Sequence, residues 1–418
     1  MLLQETSKLP TKLPATIEDS ITATRRLGYR YLWVDKYCVH QQDSSDKHIQ
    51  IQQMDVIYAS AQITLIAAAG EDCAYGLPGV GRERKLSDLV VTIDSITVTL
   101  EPDPVGRHIA KSKWSNRAWT LQEGYLSRRR LYFTPYDMLF ICKEFTKCDN
   151  DVIGLDPEIE HLEHTVPHST NHGLSRGTGL LNVFSLRSLS FQSDALNAIL
   201  GILKFLRTEN DPIGSFWGVP FGRSSRCNRA TDFRLCLYWR TSGSSARRRY
   251  GFPSWSPLAW ERTGITFNQN QYPLSATSLP AFWELCDRQY NNTRGSEVSQ
   301  DLFLTAYIVQ LPVEHEGEYE GRRHLLILPF TYLKWESKMC WAIRWDDPEA
   351  EAEEVSSVMC VFTVDRYSTR ICFTFILVEP CGEKYMRKGT CECEVRTCQS
   401  AEVERWLGNQ VKQNIVLV

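Results

Sequence analysis

The spacing of apolar residues changes along this 418-residue chain, and that change limits the architectures open to it. Over roughly the first 150 residues, stretches of helical period alternate with short apolar runs of strand length. Residues 14–27 open with Pro14, place Ile17, Ile21, Thr24 and Leu27 at helical spacing, and stop at Gly28. Proline at the start and glycine at the end are the expected boundary chemistry of a helix. Tyr31, Leu32, Trp33 and Val34 follow as four bulky residues in a row, which predicts a strand covered on both faces. Ser44, Ser45 and Asp46 offer an N-cap for a helix to about Ser60, with Ile49, Val56 and Ile57 inward. Residues 63–69 then read as a second buried strand. Helix and strand in alternation, with short links, predict a parallel sheet wrapped by helices.

Further along, residues 76–81 are rich in glycine and proline but lack the Lys-Ser/Thr of a phosphate-binding loop, so a structural loop is expected, with a ligand cradle as the alternative. Residues 90–100 alternate like strands, a helix starts at Trp114, and residues 130–133 form another strand. Residues 149–176 turn polar and carry four histidines, as a linker or mobile loop would. A helix with a serine cap is expected over 193–206 and another over 233–240. After about residue 300 the pattern becomes all strand, at 302–309, 324–328, 340–344, 358–364, 371–378 and 415–418. The expected organisation is an α/β domain over 1–148, a polar linker over 149–176, a mainly helical region over 177–298 and a β-rich module over 299–418.

Composition removes several classes of function. A hydrophobic fraction of 43% and a charged fraction of 23% are those of a globular protein. A formal net charge of -3 argues against a nucleic-acid partner, which needs a basic face; the runs at 128–130 and 247–249 are too short to supply one. No apolar stretch approaches the roughly 20 residues of a membrane span, and the first five residues are too short and acidic for a secretory signal. A cytoplasmic location is expected. The 14 cysteines fit it, because Cys236, Cys340, Cys360 and Cys372 sit singly in apolar runs, where a thiol packs as a small hydrophobe. No metal is expected: His161, His164, His168 and His172 are interrupted by Pro167, and Cys381, Cys391, Cys393 and Cys398 contain no paired knuckle. The common hydrolase, zinc-protease and dinucleotide motifs are absent.

Two segments carry the candidate chemistry. Ligands of a parallel α/β sheet gather beyond the carboxyl ends of its strands, and Asp35 stands at such an end with Tyr37, Cys38, His40, Gln41 and Gln42 behind it. The plain alternative has Asp35 capping a turn and Cys38 packing. In the helix from Trp114, residues Trp114, Ala118, Leu121 and Tyr125 form an apolar face, while Asn116, Trp119 and Glu123 form a second stripe. A carboxylate beside an indole has a raised pKa and can act on a cationic ring or a sugar hydroxyl. The alternative is that Trp119 packs in the core and Glu123 pairs with Arg117 or another arginine.

These segments, Leu-Trp-Val-Asp-x-x-Cys-Val-x-Gln at 32–41 and Trp-x-x-Arg-x-Trp-Thr-x-Gln-Glu at 114–123, resemble the fungal heterokaryon incompatibility domain. Leu13 to Asp19, Ser193 to Ala198 and Phe252 to Ser256 fit segments of the same family. The resemblance implies a fold similar to the Toll/interleukin receptor domain, a parallel sheet flanked by helices. It also implies a role in non-self recognition and programmed cell death, acting through protein partners or self-association of the domain. By analogy of fold alone, it implies a second function as an NAD glycohydrolase, with NAD as substrate and no bound cofactor. Glu123 is then the catalytic candidate, and Asp35, Cys38, Gln41, Arg117, Trp119 and Gln122 are the binding candidates. Family members usually begin with a strand carrying Ser-Tyr-x-Trp-Gly, which this sequence lacks, so a domain without its first strand is expected, and an inactive, degenerate member is a third reading.

Overall fold

Helix α1 (Ala15–Arg26) forms where the proline and glycine signals predict it. It ends in a Schellman motif: Gly28 has φ +80°, its N–H bonds Arg25 O at 3.0 Å, and the Tyr29 N–H bonds Thr24 O at 3.0 Å. The computed structural model describes residues 9–39, 49–51, 53–85, 90–93, 96–99, 105–144, 146–148, 174–222, 232–233, 236–242, 246–267, 300–316, 323–327, 340–347, 355–366, 370–396 and 400–418. The chain divides into two compact units, Met1–Thr170 with Asn197–Ile202, and Asn171–Leu196 with Leu203–Val418.

In the first unit, the strand expected at 31–34 does not form. Tyr31 is 83% exposed, Val34 has extended dihedrals but belongs to no ladder, and the segment runs into a single turn, α2 (Asp35–Cys38). Trp33 is sheltered instead by an edge-on contact with Tyr58, ring centroids 5.7 Å apart. Helix α3 (Met54–Ser60) occupies the last part of the helix expected before residue 60. Its expected cap at Ser44, Ser45 and Asp46 lies outside the described residues.

The sheet is mixed rather than parallel. Strand β1 (Thr64–Ala67) is the predicted second strand, and β2 (Val90–Ile93) and β3 (Ile96–Thr99) form a hairpin apart from it. Strands β4 (Arg129–Phe133), β5 (Met138–Cys142) and β6 (Thr146–Cys148) complete a sheet of order β1-β4-β5-β6. Only β1 and β4 are parallel. The reversal after β4 is local chemistry. Asp137 N–H donates to Thr134 Oγ1 at 2.9 Å, and that hydroxyl donates back to Asp137 O at 2.8 Å, closing a tight turn that leaves β5 antiparallel to β4.

Successive residues of the sheet face opposite layers. Ile66, Tyr132, Leu139 and Ile141 pack with Ile109 of α4 (Val105–Lys111) and Trp114 of α5 (Lys113–Asn116). Leu131 and Phe133 pack with Ala23 of α1 and with Leu77. The predicted helix from Trp114 is two helices, since Arg117 turns extended (φ -88°, ψ 134°) before α6 (Trp119–Leu126). Residues 76–81 form the expected structural loop, strapped to α1: Leu77 N–H donates to Asp19 Oδ2 at 2.6 Å and Gly76 N–H to Thr16 Oγ1 at 3.2 Å.

The second unit opens with α7 (Leu174–Ser185). The serine cap expected at 193 is replaced by a short 3-10 turn over Gln192–Asp194, and α8 (Asn197–Leu206), whose residues Asn197–Ile202 belong to the first unit, starts after Leu196 with no side-chain cap. Strands β7 (Ile213–Phe216) and β8 (Val219–Gly222) form a hairpin turned by Trp217 and Gly218, both at positive φ. Arg240, placed at the end of a predicted helix, instead begins β9 (Arg240–Thr241), which pairs with β12 (Ile265–Thr266). Between them β10 (Arg247–Arg248) pairs with β11 (Trp260–Glu261).

The region after residue 300 is β-rich, as the alternation predicts. It comprises β13 (Leu302–Glu316), β14 (Arg323–Ile327), β15 (Cys340–Ala342), β16 (Arg344–Trp345), β17 (Ser357–Arg366), β18 (Arg370–Cys381), β19 (Lys384–Arg396) and β20 (Lys412–Leu417). Strand β20 pairs with both β13 and β19, so β13, β17, β18, β19 and β20 close a ring of pairings. Closure covers edges that would otherwise carry unpaired backbone groups. Helix α9 (Ser400–Gly408), which the strand pattern does not announce, buries Val403 and Leu407 in the same core and stacks Trp406 on Phe362 at 5.2 Å.

Candidate functional site

The candidate site is a cluster on four segments of the first unit. Helix α3 presents Tyr58, whose phenol feels the charge of Glu123 on α6. Asp35, first residue of α2, and Arg117, at the joint of α5 and α6, also act on the Tyr58 phenol. Burial pushes that phenol far above its ordinary range, the Glu123 and Asp35 charges raise it further, and Arg117 opposes them.

Local chemistry explains how these side chains are aimed. The break at Arg117 is held by Thr120, fully buried, whose hydroxyl donates to Arg117 O at 2.7 Å and to Trp114 O. Without that bend, Arg117 and Glu123 would lie on one uninterrupted helix. At the far end of α6, Ser127 donates to Glu123 O at 2.5 Å and shares a 2.6 Å hydroxyl contact with Thr64 of β1, tying the helix to the sheet.

Of the predicted residues, Glu123, which is partly buried, and Asp35 and Arg117, which are exposed, act by their charges on the Tyr58 phenol. Trp119 is partly buried at the start of α6. Gln122 is 2% exposed and accepts a 3.0 Å hydrogen bond from Gly201 N–H, so it anchors α8 against α6. Cys38 is exposed, and its sulfur accepts from Val34 N–H at 3.4 Å. Gln41 lies outside the described residues, as do His161, His164, His168, His172 and Cys398. Among the described residues, no group of three or more His, Cys, Asp or Glu is placed to hold a metal, and no helix is long and apolar enough to cross a membrane. The motifs did not single out Tyr58. Its signal is weak, an aromatic residue one turn after Asp55 on an amphipathic helix. Trp33 lay inside a motif but was read as a strand residue.

The cluster combines two carboxylates, a cation, a phenol and an indole. Such a set can hold a cationic ring against an aromatic face and stabilise positive charge developing on a sugar. Residues 3–123 match the family model described as heterokaryon incompatibility protein (HET). No curated protein and no solved structure matches the chain. The matched segment ends on Glu123 and contains Trp33, Asp35, Tyr58 and Arg117.

Proposed function

We propose, from the match of residues 3–123 to the heterokaryon incompatibility family model, that the chain is a signalling module of fungal non-self recognition. Its response after cell fusion is programmed cell death, and it acts in the cytoplasm through protein partners or through self-association of this domain. The observation that supports this reading is the match itself, which takes in every member of the polar cluster described above.

A second reading is favoured by the Tyr58–Glu123 pair, namely cleavage of the glycosidic bond of NAD. In that reaction water attacks the ribose C1′ and the C1′–N1 bond breaks. Its electron pair passes to the cationic ring nitrogen, releasing neutral nicotinamide, ADP-ribose and a proton. Glu123 would stabilise the developing oxocarbenium ion, with Asp35 and Trp119 shaping the pocket.

Expression of the chain and of Glu123→Ala in a fungal host, with viability and cellular NAD followed together, tests both readings. Death with NAD loss in the wild type only supports the hydrolase. Death with NAD intact in both proteins supports a scaffolding signal. A host unharmed by either protein would overturn both and leave an inactive member.

A further inference from the structure

We infer that the stretch from Arg25 to Val34 is a docking edge for an acidic peptide in extended conformation, which adds to residues 30–33 as a strand and sets its carboxylates on Arg25, Arg26 and Arg30. The inference rests on the reading of the chain as one that acts through protein partners, and deepens it by naming the partner's chemistry.

Charge is the first observation that points to such a partner. Residues 25–31 are all exposed and hold three arginines and no acid, on a chain of net charge -3. Among the described residues, none of these three arginines has an ion-pair partner. Arg25 and Arg26 also suit the C-terminal end of α1. Arg30 lies beyond that helix, its guanidinium 5.5 Å from the centre of the Tyr31 ring. The next acid along the chain, Asp35, accepts from the Lys36 N–H at 2.7 Å. The backbone is the second observation. Tyr29 N–H bonds back to Thr24 O, and Val34 N–H donates to Cys38 Sγ. Between them, among the described residues, the N–H and C=O groups of residues 30–33 make no hydrogen bond. The sequence Arg-Tyr-Leu-Trp suits a strand, Val34 after it is extended (φ -136°, ψ 121°), and no ladder includes it. A row of free donors and acceptors on a strand-forming segment is a template for one more strand. A lipid surface or an oligonucleotide backbone brings mainly acceptors, which answer the N–H groups and leave the carbonyls. A peptide strand answers both. Carboxylates complete the match, since a guanidinium fork takes a carboxylate through two parallel bonds.

The test is fluorescence anisotropy of a short labelled peptide of alternating glutamate and valine, titrated with the full chain. Affinity should fall about 10-fold or more in the combined variant Arg25→Glu, Arg26→Glu, Arg30→Glu, and should fall for the wild type as salt is raised. All three positions are exposed, so the variant should keep the wild-type melting temperature, which separates lost binding from lost folding. Two N-methylated forms of the peptide, one blocked on its glutamates and one on its valines, keep every charge. The form blocked on the docked edge should bind about 10-fold more weakly, and the other should bind like the unmodified peptide. Equal binding of all three forms would sink strand addition. No binding of the peptide, or a combined variant that binds like the wild type, would overturn the inference. So would an oligothymidylate or a phosphatidylserine vesicle that binds as tightly as the peptide. If the peptide binds through the arginines while expression leaves the fungal host unharmed, the signalling reading falls and the docking edge stands. If the host dies and the peptide does not bind, this inference alone falls.

Discussion

A methyl group at Gly201 would stand 2.3 Å from Gln122 Oε1 and 2.6 Å from Asp55 Cβ, closer than real side chains approach. Alanine in a helix gains roughly 1 kcal/mol over glycine from propensity alone. Overpacking against a Cβ that cannot swing away costs about 1–3 kcal/mol, and the Gln122 bond is strained as well. Gly201→Ala should therefore lower stability in urea titration; a gain would show that α8 does not sit where the structure places it. Cysteine reactivity is also settled residue by residue. Burial raises the Cys360 thiol and pushes Cys391 up to about 12, while Cys38, Cys73 and Cys381 are exposed. Alkylation of the folded protein at mildly basic pH, followed by peptide mass spectrometry, should label those three well before Cys236, Cys360, Cys391 and Cys393. The sequence placed Cys236 and Cys360 correctly as packing residues, because an isolated thiol inside an apolar run has nowhere else to go.

At the scale of elements, helix α1 was legible to within a residue of each end, because proline, glycine and their backbone bonds act within one turn. The break between α5 and α6 was not. No glycine or proline marks it, and the apolar period runs through it, with Trp114, Ala118 and Leu121 all buried. What holds the break is the Thr120 hydroxyl, buried against two carbonyls. Thr120→Val removes that donor at nearly constant volume and leaves the carbonyls underbonded. A loss of about 1–3 kcal/mol is expected, with faster amide exchange over residues 114–123 than in the wild type. Exchange that stayed at wild-type rates would mean that packing alone sets the bend. The strand expected at 31–34 failed for a different reason: four bulky residues specify burial, and Trp33 found it on Tyr58 rather than in a ladder.

On the scale of the whole chain, the β-rich unit is held by a buried ion pair at the meeting of distant segments. Arg387, fully buried, donates to Asp346 Oδ2 at 2.7 Å and Oδ1 at 3.1 Å, and to Leu237 O and Trp239 O, with its guanidinium 3.5 Å over the Trp239 ring. Ser254 accepts from Arg387 N–H at 2.9 Å and donates to Val418 O, drawing β19 and the residue after β20 to the same point. Removing one partner strands the other charge in a dry site. Asp346→Ala should thus cost about 3–5 kcal/mol, read as a fall in the melting temperature. A change below about 1 kcal/mol would mean that water reaches the pair and shares its charge. Arg387, Asp346 and Trp239 did not stand out in the sequence, where each is one charged or aromatic residue among many, and the segment Phe252 to Ser256 that did stand out gave no sign of this contact.

The sequence by itself determined the features whose cause is near in the chain. These are the caps of α1, the apolar runs that became β1 and β4, the alternation that became β13, β17 and β18, and the motif pair matched by the heterokaryon incompatibility family. Only the tertiary structure decided that β5 runs antiparallel to β4 and that β20 closes the ring between β13 and β19. It alone brought the charges of Asp35, Arg117 and Glu123 within reach of the Tyr58 phenol. Periodicity records which residues seek burial and over what length. It carries no term for the partner, since the energy of a pairing between segments far apart in the chain depends on both surfaces and on the loops that bring them together.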